Sequence, residues 1–525
     1  MKKYLLAVLR PACVFILSFF KNRTTKPVLA HIADGVKRIC LLSLAALVLF
    51  AAAEILYRLY WASRCALASC GDSGENFSFY ILGESTATGE PYREIGLSSL
   101  ILNSFGDRIQ GRTVRVFPLA QQGESIYPQA MALERALRCR NKDNPGAVIV
   151  YSGNNDATHA VGVPVFERFR EHVLSASMFL TDAGFLAEKL FPVFRIRTLD
   201  TYEHYLRHTV EISLKSGLIP ILATVVSNIS DIDPLLPPDP GHNRAEMRAI
   251  LVKGMDLEEK RRTKEAILYY AGHFSTHPRM LSYLKYRTAK CYQALGQYGA
   301  ARQYYNEVVD AAEADNFGRA TSRQNNFIRR LAKQYSTPMV DAVKIFEERS
   351  PHNIVGDSLF SDGHHPNMSG YLLLANAYAG KISEVFNEPI RRSFSGPEDI
   401  FRVFSYGPKR QAKALVSSGR WLLNSAADNA YPEKRLKMAK ARFENALEFD
   451  PHDFSAWLSL GLSEAGLNGG LFSDNVNLEW LSHYGLFSYE EYNFPPAQLQ
   501  EILAKLSACG VSRALIDKIS LEAGK

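Results

Sequence analysis

The chain of 525 residues is too long for one ordinary domain, and 47% hydrophobic with 22% charged residues is the composition of a folded protein. Disordered and fibrous classes are therefore excluded. The net charge of +7 comes from the first 38 residues, which hold eight Lys and Arg and one acid, whereas the rest carries 53 bases and 53 acids. Because the body is neutral overall, no nucleic-acid partner is expected.

An apolar segment over residues 39–61 follows the basic N-terminus and ends in aromatic residues. It is long enough to span a bilayer once. The basic cluster predicts that residues 1–38 are cytoplasmic and that everything after the segment lies outside the cytoplasm. A buried helix of a soluble protein is the alternative, favoured by Glu54 and Arg58. Residues 4–20 are also apolar, and an interfacial helix, a second span and a start site further downstream remain open for them.

Strands and helices alternate from residue 77 onwards, and this order predicts a parallel sheet covered by helices on both faces. The predicted strands are Phe77–Leu82, Thr113–Leu119, Ala147–Tyr151, Ile219–Val226 and Met339–Val343. The predicted helices are Ile95–Phe105, Pro128–Arg140, Thr201–Lys215 and Gly370–Val385. The pattern therefore indicates an α/β domain that is interrupted before its last strand.

Two further regions, 241–330 and 405–525, have a helical pattern that resembles tetratricopeptide repeats, whose period is about 34 residues. In the first region the matching residues are Ala266, Tyr270, Pro278, Tyr292, Gly296, Tyr298, Ala301 and Tyr305. In the second they are Ala439, Phe443, Ala446, Leu447, Pro451, Trp457, Leu460 and Gly461. We expect a tetratricopeptide-like insertion and C-terminal helical repeats that offer a surface to a protein partner. Ordinary helical hairpins are the alternative.

Four short polar motifs follow predicted strands or precede the last predicted helix. They are Gly83-Glu84-Ser85, Gln122-Gly123, Gly153-Asn154-Asn155-Asp156 and Asp362-Gly363-His364-His365-Pro366. A serine on a strand-to-helix turn exposes its hydroxyl, and a glycine lets a backbone N–H approach a ligand closely. An asparagine at a strand end can point its amide into the crevice where α/β sheets bind ligands. An acid three residues before a histidine can orient the imidazole.

In this order the motifs resemble those of the SGNH (GDSL-type) serine hydrolases. The resemblance implies a three-layer, flavodoxin-like α/β core with a parallel sheet over residues 77–240 and 331–390. It also implies that Ser85 is the nucleophile and that His365 is the general base, oriented by Asp362. No cofactor and no metal ion are expected.

The resemblance further implies an oxyanion hole made by the backbone N–H groups of Ser85 and Gly123 and by the side-chain amide of Asn155. Glu84 departs from the aspartate that the family most often has, and it is expected to reshape the turn without abolishing activity. His364 does not match the motif position of the base, and we expect a solvent-facing or structural histidine there.

These roles imply a membrane-anchored, extracytoplasmic esterase or deacetylase acting on an ester-bearing small molecule or glycan. An O-acyltransferase that passes the acyl group from Ser85 to a cell-envelope polysaccharide would use the same residues, so the sequence leaves both open. A third hypothesis is a catalytically weak or inactive scaffold that binds partners through its tetratricopeptide-like helices. The intact motif residues argue against it. The insertion is expected to lie near the rim of the active site and to select large substrates.

Overall fold

The computed structural model describes residues 26–69, 75–156, 177–190, 199–236, 244–311, 318–427, 429, 431–469, 481, 483–486 and 492–524. The chain divides into two compact units. The smaller unit comprises residues 1–66 and 168–186, and the larger unit comprises residues 67–167 and 187–525. The predictions for residues 4–20, and for the basic residues before residue 26, lie outside the described residues.

The larger unit contains a six-stranded sheet in the order β2-β3-β1-β4-β5-β6. Its strands are β1 (Asn76–Gly83), β2 (Arg108–Ile109), β3 (Arg112–Pro118), β4 (Gly146–Tyr151), β5 (Ile219–Ala223) and β6 (Met339–Val340). Neighbouring strands are parallel except β2 and β3, which form an antiparallel hairpin. The central strands β1 and β4 are buried along their whole length, as their mainly apolar sequences require. The predicted α/β class is confirmed.

The helices, numbered along the chain, are α1 (Lys26–Ser69), α2 (Ser85–Thr88), α3 (Leu97–Phe105), α4 (Ile126–Leu137), α5 (Met178–Leu190), α6 (Leu199–Lys215), α7 (Arg244–Glu259), α8 (Thr263–Gly272), α9 (Leu281–Ala294), α10 (Tyr298–Asp310), α11 (Ser322–Gln334), α12 (Ala342–Arg349), α13 (Met368–Phe386), α14 (Pro397–Val403), α15 (Pro408–Ala427), α16 (Glu433–Phe449), α17 (Phe454–Leu467), α18 (Pro496–Ala508) and α19 (Arg513–Ala523). Beside the sheet, α4 packs against α6 and α3 packs against α13. These four helices correspond to the predicted ones.

Two predicted strands end earlier than expected. β5 stops at Ala223 because the side-chain amide of Asn325 bonds both the N–H and the C=O of Val225, at 2.7 and 2.9 Å. These backbone groups are therefore taken by a helix of the insertion and not by the sheet. β6 stops at Val340 because the carboxylate of Asp341 caps α12. The predicted pairing of β6 beside β5 is present, with Leu222 opposite Met339.

The described residues of the insertion and of the C-terminal region are mainly helical, as predicted, and successive helices pack against one another. The small and aromatic residues of the repeat-like pattern are buried in their cores: Ala266, Tyr270, Ala301, Tyr305, Ala439, Phe443 and Ala446. The two regions are also in contact: Lys434 on α16 donates a hydrogen bond to the hydroxyl of Tyr286 on α9. Their assignment to tetratricopeptide repeats, and the domain boundaries, stay predictions.

The smaller unit is built on α1, in which Lys37–Cys65 is long and apolar enough to cross a membrane and contains an 18-residue window with a mean hydropathy of 2.6. Its apolar side chains are exposed, whereas a core helix of a soluble protein would bury them. Glu54 forms an ion pair with Arg58 at 2.7 Å. Its carboxylate also accepts the hydroxyl of Ser177 at 2.7 Å and the first backbone N–H groups of α5. The acid within the apolar segment is therefore fully bonded.

Candidate active site

The four sequence motifs are brought to one place by the sheet. Ser85 begins α2, with Glu84 alone between it and the end of β1, and Asn155 follows β4, which is the parallel neighbour of β1. The segment with Asp362 and His365 precedes α13. Because parallel strands end at the same edge, the first and third motifs lie side by side at the carboxyl edge of the sheet. The fourth motif joins them through direct side-chain contacts.

A chain of hydrogen bonds connects the three residues predicted to act together. The Oγ atom of Ser85 lies 2.7 Å from Nε2 of His365, although 280 positions separate the two residues. Nδ1 of His365 lies 2.8 Å from one carboxylate oxygen of Asp362. The other oxygen accepts the backbone N–H groups of His364 and His365, at 3.1 and 2.9 Å. The histidine that faces Ser85 is therefore His365, and the acid fixes its ring.

The protonation states of Asp362 and His365 depend on their burial and on the ion pair between them. Burial alone would raise the pKa of Asp362, but the charge of His365 and its hydrogen bond outweigh burial and lower the pKa to about 2. Burial alone would lower the pKa of His365, but the charge and hydrogen bond of Asp362 reverse the sign and raise it. Asp362 is thus a carboxylate at neutral pH, and His365 loses its proton at a higher pH than a free histidine.

Glu84 holds the third motif in place. Its side chain is 1% exposed, and its carboxylate accepts the hydroxyl of Ser152 and the backbone N–H groups of Gly153, Asn154 and Asn155, at 2.8 to 3.3 Å. Burial raises the pKa of this carboxyl despite the four donors. The unusual glutamate therefore does more than reshape its own turn, because it ties the loop after β1 to the loop after β4.

The remaining candidate donors for an oxyanion lie on two loops that are bonded to each other. The side-chain N–H of Asn155 donates to the backbone oxygen of Glu124 at 3.3 Å, and the carboxylate of Asp156 accepts the backbone N–H of Ile126. Gly123 has a φ of 68°, a conformation that a glycine adopts without strain. The second motif is therefore held beside the third, with Gly123 at its turn.

His364 is packed inside the protein, so the solvent-facing alternative for it is wrong. It is 5% exposed, and its ring lies on that of His365 with 4.0 Å between centroids. The indole of Trp421 meets the ring of His364 edge-on at 5.9 Å. On the insertion side, a Cβ atom at Gly318 would lie 2.6 Å from the His364 ring. The predicted insertion therefore reaches the loop that carries Asp362 and His365.

Sequence reasoning missed the residues of the C-terminal helices that hold the loop with Asp362 and His365. Ser418 and Arg442 both donate to the backbone oxygen of Ser361, at 2.8 and 3.2 Å. Trp421 lies so close to Gly363 that a Cβ atom there would be 2.9 Å from the indole. No local pattern indicates these contacts, which join residues 57 and 81 positions apart. The C-terminal helices therefore help to hold the loop that carries Asp362 and His365.

Asp362, His364 and His365 form a cluster of side chains that could also bind a metal ion. One ligand atom each of Asp362, His364 and His365 lie within 4.8 Å of one another. Both ring nitrogens of His365, however, are already engaged, one by Asp362 and the other by Ser85. A metal at His365 would have to break one of these bonds. The arrangement fits proton transfer between a hydroxyl and an imidazole better than ligation.

No family model matches the chain, and no curated protein matches it. Among solved structures, a GDSL-like lipase from Bacteroides thetaiotaomicron is 11% identical, with 63% of this chain and 97% of that chain covered and a TM-score of 0.27. An acetyl xylan esterase from Geobacillus stearothermophilus is 14% identical, with 60% and 97% covered and a TM-score of 0.28. Similarity at this level identifies neither activity nor substrate.

Proposed function

We propose that the chain is a membrane-anchored serine esterase that removes an acyl group from a glycan or another ester-bearing substrate outside the cytoplasm. The observation that carries the proposal is the hydrogen-bonded chain from Ser85 through His365 to Asp362. A serine hydroxyl is a weak nucleophile until an adjacent base takes its proton, and this geometry supplies such a base and its orienting acid.

The reaction has two halves. Oγ of Ser85 attacks the acyl carbon while its proton passes to Nε2 of His365, and His365 then protonates the departing alcohol oxygen as the ester bond breaks. Water deprotonated by His365 next attacks the acyl-enzyme, and the carboxylic acid leaves as Ser85 regains its proton. The oxyanion of each step would be bound by the N–H groups of Ser85, Gly123 and Asn155, each such donor being worth about 10²–10³ in rate.

An O-acyltransferase that uses a sugar hydroxyl in place of water remains a second candidate. Both candidates share every reacting residue and differ only in the acceptor of the second half-reaction.

Hydrolysis of an aryl acetate by the full chain in detergent tests the proposal, with the matched Ser85→Ala variant as control. We expect release of the aryl alcohol by the natural chain only. Addition of an oligosaccharide separates the two candidates, since a transferase yields acetylated sugar detectable by mass spectrometry and a hydrolase yields free acetate. Equal rates for both chains would contradict the proposal and favour the scaffold hypothesis.

A further inference from the structure

A cavity of about 400 Å³ lies between the loop after α2 and the C-terminal helices, outside the hydrogen-bonded chain of the active site. The loop contributes Pro91, Arg93 and Glu94, and the opposite wall comes from α15, from the start of α17 and from Tyr492. Volumes of this size are typical of sites that bind small molecules or one end of a larger ligand. The question is which chemistry this lining would recognise.

Positive charge dominates the lining. Four cationic side chains line the cavity: Arg93, Arg410, Lys413 and Arg420. Two acids also line it, and a third acid, Glu90, pairs with Arg93 at 2.8 Å from outside the lining, so the four lining cations outnumber the lining acids by two. Glu94 pairs with Arg410 at 2.8 Å, and one oxygen of Asp453 accepts a backbone N–H of α17 at 2.8 Å. The excess of cations favours an anionic ligand, and guanidinium groups suit carboxylate and phosphate oxygens in particular.

Aromatic side chains supply the second element of the lining. Tyr406, Phe454 and Tyr492 line the cavity together with the cations. The guanidinium of Arg420 lies 3.8 Å from the centre of the Tyr492 ring, and Arg420 is only 2% exposed. This packing fixes a charged group at the wall of the cavity. Because Arg420 covers one face of Tyr492, the apolar contact with a sugar ring that carries an oxyanion falls mainly to Phe454 at the start of α17.

Two residues that neighbour the cavity lining in sequence contact the candidate active site. On one side, Arg420 is followed by Trp421, whose indole packs against His364. On the other side, Pro91 follows Glu90, whose backbone N–H donates to the oxygen of Ser85 at 3.0 Å. A ligand in the cavity would therefore lie beside the elements that carry the nucleophile and the base.

We propose that this cavity binds the anionic part of the glycan whose ester is cleaved at Ser85, that is, a saccharide carrying a carboxylate or a phosphate. The inference rests on the proposed function, and it assigns the substrate class that the reacting residues alone leave open. Arg410 and Lys413, which lie exposed at the cavity, make the first contacts with the charge, and Arg420 stands deeper in the wall.

Binding is measured by calorimetry on the full chain carrying Ser85→Ala, which cannot turn over a substrate. The probes are trigalacturonate, glucose 6-phosphate and the neutral trisaccharide galactotriose. We expect at least one anion to bind and the neutral sugar to bind more weakly by roughly tenfold, and the preferred anion distinguishes a carboxylate from a phosphate. Adding Arg410→Gln and Lys413→Gln should weaken binding of that anion to a similar extent.

Lys409→Gln is the matched control, because Lys409 is exposed on the same helix and does not line the cavity. It should leave binding unchanged. Equal binding of neutral and anionic sugars, no binding of either anion, or an unchanged affinity in the double variant would overturn the inference. The proposed function fails separately, if the natural chain does not hydrolyse an aryl acetate while the Ser85→Ala chain still binds the anion.

Discussion

Asp362→Asn tests whether the acid fixes His365 in the form that can accept a proton. One carboxylate oxygen lies 2.8 Å from Nδ1 of His365, and the other accepts two backbone N–H groups. An asparagine keeps this shape, but its oxygen is needed by the backbone donors, so its NH₂ group faces Nδ1. The imidazole must then carry its proton on Nε2, where it cannot accept the proton of Ser85.

The magnitude follows from these contacts. In the serine-protease triad the same change lowers kcat by about 10⁴, and we expect a loss of that order in kcat/KM for an aryl acetate. The fold lowers the pKa of Asp362 from 3.8 to about 2, which corresponds to about 2 kcal/mol in favour of the carboxylate. Because this pKa is depressed, the contribution is present above pH 3.8 and is lost as the pH falls towards 2. The variant should therefore unfold about 2 kcal/mol more easily at neutral pH.

The assay records kcat/KM against pH and urea unfolding for both chains. In the natural chain the rate should rise with pH through the pKa of His365, which lies above 6.5, and in the variant this limb should move to lower pH. Asp341→Asn is the matched control, since Arg329 and a hydrogen bond from Thr224 overcome burial and lower the pKa of Asp341 away from the site. It should lower stability and spare activity. A loss of less than tenfold in Asp362→Asn would refute the role given to the acid.

Three further predictions concern the surroundings of the site. Trp421→Ala should lower the unfolding free energy by about 3–5 kcal/mol and also lower kcat, whereas Trp421→Phe should retain most activity. An unchanged kcat in a folded Trp421→Ala chain would contradict the inference that Trp421 holds the loop with His364 and His365 in place. Gly318→Ala should reduce kcat several-fold because the new Cβ atom would meet the ring of His364 at 2.6 Å, and Gly299→Ala, where nothing lies within 4 Å, is the neutral control. A reporter that works only outside the cytoplasm should be active when fused after residue 70, and an inactive reporter would reverse the proposed topology.

Much of the sheet could be predicted because its signals are local. The mainly apolar sequences of β1 and β4, and the polar motifs that follow them, lie within a few residues of one another. The β2–β3 hairpin escaped because its turn is marked only by Gly111, and Gln110 also takes a positive φ of 51° there. The early end of β5 escaped because it depends on Asn325, which lies 100 positions away.

The residues that meet in the candidate site could be named from sequence, but the residues that hold them in place could not. The order of the motifs pointed to Ser85, Asp362 and His365 because each motif resembles the pattern of the serine hydrolases over a few consecutive residues. The contacts of Ser418 and Trp421 with the loop that carries Asp362 and His365 depend on how the C-terminal helices pack against it. Such packing leaves no spacing that a single sequence reveals.

Mapping a covalent fluorophosphonate adduct on the full chain tests the central claim most directly. The reagent labels a serine only where a neighbouring base activates its hydroxyl, and peptide mass spectrometry then locates the label. The account predicts one adduct on Ser85, strongly reduced in Asp362→Asn and absent from His365→Ala. An unlabelled natural chain, a label on another serine, or undiminished labelling in His365→Ala would contradict it.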